Sequence, residues 1–251
     1  MSTKGLALLA LATGCAATPL TNRLKPGEEP IVVVVGEGTD GAVDLFAAPA
    51  EGGQFHQLTF TRAVESLPKL APSGVVLAFV RRGAGTEGGR ADGRMSGGEL
   101  VIVDLIGGTE RTVGLEAMPS RLGWFPGGDT VAVATAAGVM TVALGPGKLA
   151  AVAAGPRADS LSYDRVGTPA FGSLRPCRAG GLCVISDAGE ETALADGAAD
   201  GCRWGDKALA YVRNGKIEVR PLGGGRVRQP TWNNEPTHLR QPTHHPGSDA
   251  R

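Results

Sequence analysis

The stretch that decides the fold runs from Gln57 to Arg81 and consists of three short apolar runs separated by proline and glycine. It reads QLTF at 57–60, LPKLAPSG at 67–74 and VVLAFVR at 75–81. Proline and glycine at these intervals end each segment after a few residues, which favours short antiparallel strands joined by turns over a helix. The stretch therefore predicts one unit of an antiparallel sheet.

The order of these runs resembles the repeat of TolB-type β-propellers. In that repeat a Leu-Thr pair precedes a Pro-x-Trp-Ser-Pro-Asp-Gly turn, which is followed by an apolar strand with the pattern Ile/Leu-Ala-Phe. Here the Leu-Thr pair is Leu58-Thr59, and the turn is represented by LAPSG at 70–74 and by WFPGG at 124–128, both without the aspartate. The resemblance covers most of residues 40–247 and implies a propeller fold, a bacterial envelope compartment and a role as an interaction platform.

Internal repetition supports the same architecture. The position of Leu70 recurs at four further places, which are Trp124, Phe171, Trp204 and His244. The intervals of 54, 47, 33 and 40 residues average 43.5, which is the length of a propeller blade. The sequence predicts an all-β propeller with five blades, near residues 30–60, 65–115, 119–153, 162–196 and 202–231. A six-bladed ring with one degenerate blade and a fragment of a longer protein are the alternatives.

The two ends of the propeller domain carry complementary parts of one blade. The strands of a blade are counted outward from its inner strand. The domain begins at 31–35 with a second strand, without an inner strand before it, and it ends at 242–247 with the motif of an inner strand. Pairing of these two segments would close the ring and remove the exposed strand edges that lead to aggregation. We therefore expect the first and last strands to share a blade.

The N-terminus has the features of an export signal. Lys4 supplies a positive charge, residues 5–12 are apolar but too few to span a bilayer, and a cysteine follows at Cys15. The segment LATGC at 11–15 resembles a bacterial lipobox, which implies that Cys15 is the lipidated first residue of the mature chain. Ala16, where an aspartate would retain the protein at the inner membrane, implies sorting to the periplasmic side of the outer membrane. The alternative is an ordinary signal with a chance cysteine.

These features divide the chain into four parts. Residues 1–14 are the lipoprotein signal peptide, 15–29 a flexible tether without apolar periodicity, 30–247 one propeller domain and 248–251 a tail. The 25 basic residues balance the 25 acidic ones, so the sequence lacks the positive footprint of a nucleic-acid binder. We expect no nucleic-acid partner, membrane contact through the lipid anchor only, and a monomer.

Three cysteines remain after Cys15. Cys177 and Cys183 are six residues apart around a glycine-rich turn, and in an exported protein they can form a disulfide across the end of a hairpin. Cys202 opens the next repeat, so a bond between Cys183 and Cys202 is the alternative. The chain contains no Cys-x-x-Cys motif, so redox catalysis and a zinc site are poorly supported.

Two glycine-rich segments match Gly-x-Gly-x-x-Gly, at 36–41 and 83–88. A dinucleotide site needs a helix after the motif, and here a strand or a polar loop follows, so both are interpreted as hairpin loops. The segment 83–98 contains seven glycines in sixteen residues, which indicates a long mobile loop, with a partner-binding loop as the second interpretation.

No catalytic or metal-binding constellation is recognisable. The four histidines, His56, His238, His244 and His245, lack the helical spacing of a zinc protease and are expected to be exposed or at strand edges. We therefore predict no metal, no cofactor and no catalytic residue, and the binding residues stay unassigned.

The leading hypothesis is a non-enzymatic, lipid-anchored platform that binds an envelope protein or peptide. The alternatives are a propeller enzyme or carbohydrate or small-ligand binder with polar residues at its central channel, and a degenerate structural lipoprotein. Converging charged groups at a channel mouth would favour the enzyme or ligand binder, and an apolar face would favour the platform.

Overall fold

The computed structural model describes residues 19–20, 22–83, 97–125, 127–146, 149–155, 173–177, 181–185, 191–198, 200–204, 208–221 and 224–245. All twenty regular elements within these ranges are β-strands. A search of the same ranges finds no helix with the length and apolarity needed to cross a membrane. The prediction of an all-β fold is confirmed.

The strands of the first half are β1 (Ile31–Glu37), β2 (Val43–Pro49), β3 (Gly53–Gln54), β4 (His56–Gln57), β5 (Val64–Leu70), β6 (Val76–Arg82), β7 (Glu99–Asp104), β8 (Glu110–Gly114), β9 (Pro119–Trp124) and β10 (Thr130–Thr135). Those of the second half are β11 (Gly138–Ala143), β12 (Ala150–Gly155), β13 (Ser173–Pro176), β14 (Leu182–Ile185), β15 (Glu191–Ala195), β16 (Gly201–Trp204), β17 (Ala208–Arg213), β18 (Lys216–Pro221), β19 (Trp232–Asn233) and β20 (Thr237–His245).

Among the described residues, these strands form five antiparallel sheets of three or four strands. The first sheet has the order β20-β1-β2-β4, the second β5-β6-β7-β8, the third β9-β10-β11-β12, the fourth β13-β14-β15 and the fifth β16-β17-β18. The short strands β3 and β19 pair in parallel beside them. Small consecutive sheets of this kind are the blades of a propeller, so the predicted fold class is confirmed.

The first sheet contains both ends of the domain. The last strand, β20, pairs antiparallel with β1, with Ile31 opposite His245 and Val33 opposite Thr243. The pairing predicted from the two sequence ends is therefore present. Neighbouring sheets meet through their inner strands, because β16 lies against β20, β20 against β5, and β5 against β9.

Local sequence explains the individual strands. Residues 31–36 are all buried, as expected for a β-branched run with a strand on each side and a sheet packed on each face. Asn214 and Gly215 join β17 to β18 with φ of 53° and 73°, which is the positive-φ pair that a two-residue hairpin needs. The segment 36–41 comprises the last two residues of β1 and most of the hairpin loop to β2, whereas most of 83–98 lies outside the described residues.

Most of the repeat positions of the sequence lie at the ends of inner strands. Leu70, Trp124 and Trp204 end β5, β9 and β16 and are buried between sheets, while Phe171 lies outside the described residues. The indole Nε1 of Trp124 donates a hydrogen bond of 2.8 Å to the backbone oxygen of Lys69 in the neighbouring inner strand. The tryptophans therefore join neighbouring sheets, as expected for residues of an inter-blade core.

The turns after these positions keep their shape without the aspartate of the TolB-type repeat. Gly74 and Gly128 have φ of 70° and 72°, and each closes its turn with a backbone hydrogen bond of 2.8 or 2.9 Å. A Cβ on Gly74 would lie 2.4 Å from the His245 ring, so glycine is also required sterically. The turn is thus fixed by glycine geometry and by contact with the last strand.

The described residues before β1 belong almost entirely to the predicted tether. Leu20 and Leu24 are buried among residues of the first and second sheets, such as Leu77 and Leu105. The Leu24 amide donates to the Leu20 carbonyl over 2.8 Å, so one hydrogen-bonded turn places both leucines on the same side. The described part of the predicted tether, 19–20 and 22–29, thus packs on the domain through Leu20 and Leu24, because burial of two leucines outweighs the entropy of the short segment. The division of the chain at residue 29 stays a prediction.

Candidate functional site

The antiparallel order of the strands gives the molecule two faces. We call "first face" the side where the connections 58–63 and 115–118 enter the inner strands and where β6 ends and β7 begins. We call "second face" the opposite side, which holds the turns 71–75, 105–109 and 127–129. The two faces follow from the strand directions in the first three sheets, because successive antiparallel strands start at opposite sides.

Three large apolar side chains are exposed among the described residues, and they divide between these faces. Phe60 is 53% exposed and Met118 is 46% exposed, and both lie on the first face, just before the inner strands β5 and β9. These strands are neighbours, so the two side chains mark one side of the same pair of sheets. Ile106, 48% exposed, lies on the second face.

A buried polar network lies between the first and second sheets, near the first face. Its centre is the hydroxyl of Thr59, which accepts a hydrogen bond of 2.9 Å from the Leu45 amide and lies 3.1 Å from an Asp44 carboxylate oxygen. The same hydroxyl contacts the Glu65 carboxylate. A hydroxyl donates one hydrogen, so it can donate to only one of the two carboxylates. Asp44 also accepts hydrogen bonds from the Gln57 side chain over 2.9 Å and from the Thr61 amide over 3.3 Å.

Arg81 connects this centre to the outer strand of the second sheet. Its Nε donates to Glu65 over 2.9 Å, and its two terminal nitrogens donate to Glu110 over 2.9 and 3.1 Å. The guanidinium also lies over the Phe79 ring, 5.2 Å from the centroid. The fork of Arg81 therefore binds Glu110 with two parallel hydrogen bonds, which is the strong geometry for this pair.

Burial sets the protonation of the network. Removal from solvent raises the pKa of Glu65 above its usual value, although Thr59 and Arg81 oppose the shift. Burial likewise raises the pKa of Asp44, against the hydrogen bonds it accepts. For Arg81, burial lowers the pKa but the bonds to Glu110 and Glu65 outweigh it, so the pKa rises and the guanidinium stays charged.

The network is a brace between sheets. Asp44 and Glu65 are 0% and 1% exposed, so a substrate has no access to either carboxylate. This cluster is not recognisable in the sequence, because its members stand singly in five segments. The one local signal is a charged residue within an apolar strand, as with Asp44 in VDLFAAP.

Exposed cations lie in the first-face halves of two inner strands. Arg121 belongs to β9 and Arg240 to β20, and both side chains are exposed. His238, on β20, contacts the Glu37 carboxylate through Nδ1 over 2.8 Å. Both strands are inner strands, through which neighbouring sheets meet, so these residues add polar groups to the first-face side of the inner strands.

Two histidines lie at the end of β20. His245 is buried, and its Nε2 lies 3.1 Å from the Pro72 carbonyl oxygen; His244 stacks on the Trp204 ring at 4.3 Å. Burial, with a smaller contribution from His245, lowers the pKa of His244 to about 3. Both residues lie on β20, the edge strand of the first sheet, as the predicted edge position allows, but neither is exposed: His244 is half-buried and His245 is buried, because neighbouring sheets cover the end of this inner strand.

The cysteines have three different positions. Cys177 and Cys183 form a disulfide between the ends of β13 and β14, so Cys183 does not bond to Cys202. Cys202 is buried in the apolar layer between the fifth and first sheets. Cys15 lies outside the described residues. Glu191 is the third potential metal ligand near the disulfide, but sulfur atoms bonded to each other do not supply thiolates.

Comparison with known proteins supports the fold. The chain is 11% identical to a chain in the crystal structure of a nidogen/laminin complex, with a TM-score of 0.52 over 86% of this chain and 98% of that one. TolB from Acinetobacter baumannii is 14% identical over 90% of this chain and 69% of its own, with a TM-score of 0.44. No protein-family model and no curated protein sequence matches the chain. The nidogen likeness shows a shared β-propeller fold.

Proposed function

We propose that the chain is a non-enzymatic, lipid-anchored propeller on the periplasmic side of the outer membrane, where it binds an envelope protein or peptide. The observation that carries this proposal is the pair Phe60 and Met118, exposed on the first face beside two neighbouring inner strands. Large exposed apolar side chains on one face favour association with a partner. The TolB-type repeat and the nidogen/laminin structure, in which a propeller of this fold is part of a protein complex, agree with a binding role.

Replacement of both Phe60 and Met118 by aspartate tests the binding role. We expect capture of the partner from envelope extracts by the full, lipidated chain to fall about tenfold or more, because two apolar anchors are replaced by charges. The matched control is Ile106→Asp, which places the same charge on the second face and should leave capture unchanged. Equal capture by the double variant and the wild type would exclude the first face as the binding surface.

The anchor has its own test. Replacement of Cys15 by serine removes the thiol that receives the lipid, so the protein is expected to move from the membrane fraction to the soluble periplasmic fraction. Fractionation followed by immunoblotting measures the change, with Cys202→Ser as the matched cysteine control. Retention of Cys15→Ser in the membrane would show that lipid is not what holds the protein there.

A second candidate is a carbohydrate or small-ligand binder, or an enzyme, that uses polar residues at the central channel. The exposed arginines Arg121 and Arg240 favour it, because guanidinium groups bind carboxylates and phosphates. Loss of binding in Arg121→Ala with Arg240→Ala, but not in the Phe60 and Met118 variant, would select this candidate over the platform.

A further inference from the structure

The N-terminal segment is fixed to the second face. The Leu20 amide donates a hydrogen bond of 2.9 Å to the Leu105 carbonyl, and the Leu20 side chain is buried in the core between the first and second sheets. Gly27 of the same segment approaches the turn after β5, since a Cβ at that position would lie 2.8 Å from Val75. These contacts fix the point at which the N-terminal segment leaves the domain, and this exit lies on the second face.

The distance from this exit to the proposed lipid is short. Cys15 precedes Leu20 by five residues, and an extended chain of that length spans at most about 17 Å. A compact domain of about 220 residues has a radius of gyration near 17 Å, so it is about 45 Å across. A lipid on Cys15 thus keeps Leu20 and the second face close to the bilayer surface. The link from Cys15 to Leu20 is too short to reach around the domain and let the first face contact the bilayer instead.

The exit lies beside an exposed apolar residue. Ile106 directly follows Leu105, and its amide donates a hydrogen bond of 2.9 Å to the Asp104 carboxylate. Backbone bonds from Leu105 to Val75 and from Gly108 to Asp104 hold the rest of the turn. The Ile106 side chain is therefore presented to solvent by a turn that is bonded on both sides, rather than by a loose loop.

We propose that the second face around Ile106 is a membrane-contacting surface, with the Ile106 side chain inserted between the lipids of the leaflet that holds the Cys15 anchor. This inference rests on the proposed lipid anchor, adds an orientation to it, and replaces the expectation that the lipid alone contacts the membrane. The occupant of the surface is a lipid bilayer, because the exit of the chain and the length of the link to Cys15 place this face against lipid. The first face, with Phe60 and Met118, then points away from the membrane toward a partner.

Site-specific photo-crosslinking of the full, lipidated protein tests the orientation. The photoreactive residue benzoylphenylalanine replaces Ile106 in one variant and Phe60 in the matched control, and both are reconstituted in vesicles of phosphatidylethanolamine and phosphatidylglycerol. We expect at least about fivefold more lipid adduct at position 106 than at position 60, because only position 106 reaches the bilayer. Equal adducts at both positions, or more at position 60, would overturn the proposed orientation.

A longer link provides the second measurement. Insertion of about ten Gly and Ser residues between Thr18 and Pro19 frees the domain from the surface, so the lipid adduct at position 106 is expected to fall toward the level at position 60. An unchanged adduct ratio would show that the link does not orient the domain and would contradict the proposal. Mass spectrometry of the purified chain separates the two proposals: a chain without lipid on Cys15 refutes the anchor and the orientation, and a lipidated chain that fails the crosslinking test refutes only the orientation.

Discussion

A chain that ends at Pro236 is expected not to fold. It lacks β20, which occupies the inner edge of the first sheet and pairs with β1 at five backbone positions. The deletion also removes Leu239, which is buried between the fifth and first sheets. Loss of one buried leucine costs about 2–5 kcal/mol, and total domain stability is about 5–15 kcal/mol, so the lost pairing and packing together remove the stability of the native state.

Urea unfolding followed by circular dichroism and tryptophan fluorescence measures this result. The matched control is a chain that ends at Gly247, which keeps β20 and should unfold in the same cooperative transition as the full protein. A cooperative transition in the chain that ends at Pro236 would show that the first sheet is stable without its last strand.

Replacement of Arg81 by leucine is expected to lower the free energy of unfolding by about 3–5 kcal/mol at pH 7, because it leaves a buried carboxylate without its cation. Glu65 is almost fully buried, and the substitution removes the ion pairs that Arg81 makes with Glu65 and Glu110. Arg226→Leu, at an exposed position, is the matched control and should change stability by no more than about 0.5 kcal/mol.

The effect of Arg81→Leu should depend on pH with a defined sign. The native pKa values of Asp44 and Glu65 are raised above the unfolded ones. At pH values between the unfolded and the native pKa, the native state therefore binds more protons than the unfolded state. Their contribution to stability is greatest below the unfolded values and falls as the pH rises through the native values. The variant should therefore recover part of its loss when the pH falls from 7 to 5. Glu65→Gln added to Arg81→Leu should reduce this recovery; a loss that does not vary with pH would exclude Glu65 as the proton-binding group.

Much of the fold could be predicted because it is encoded locally. The β-branched run at 31–35, the Asn214-Gly215 hairpin and the recurrence of Trp124 and Trp204 each depend on residues that are close in sequence or equally spaced. Those signals report strand length, turn geometry and blade period. They were sufficient for the fold class and for the pairing of the two chain ends.

The brace between the first two sheets could not be predicted, because it depends on contacts between distant segments. Glu110 follows Asp44 by 66 residues, and nothing in either strand shows that Arg81 and Thr59 connect them. The docking of Leu20 and Leu24 was missed for a related reason. Two leucines in a segment rich in turn residues form no periodic pattern that would predict burial. They are buried because residues distant in sequence form the core between the first and second sheets, and this core exists only in the folded molecule.

The pairing of β1 with β20 also constrains the time course of folding. A polypeptide is synthesised from its N-terminus, so β1 is made among the earliest segments of the domain, whereas its partner β20 is the last strand to be made. Until β20 is made, the inner edge of β1 has unpaired amide and carbonyl groups that can pair with a strand of another chain. We therefore expect the unfolded chain to depend on chaperones until β20 is available to pair with β1.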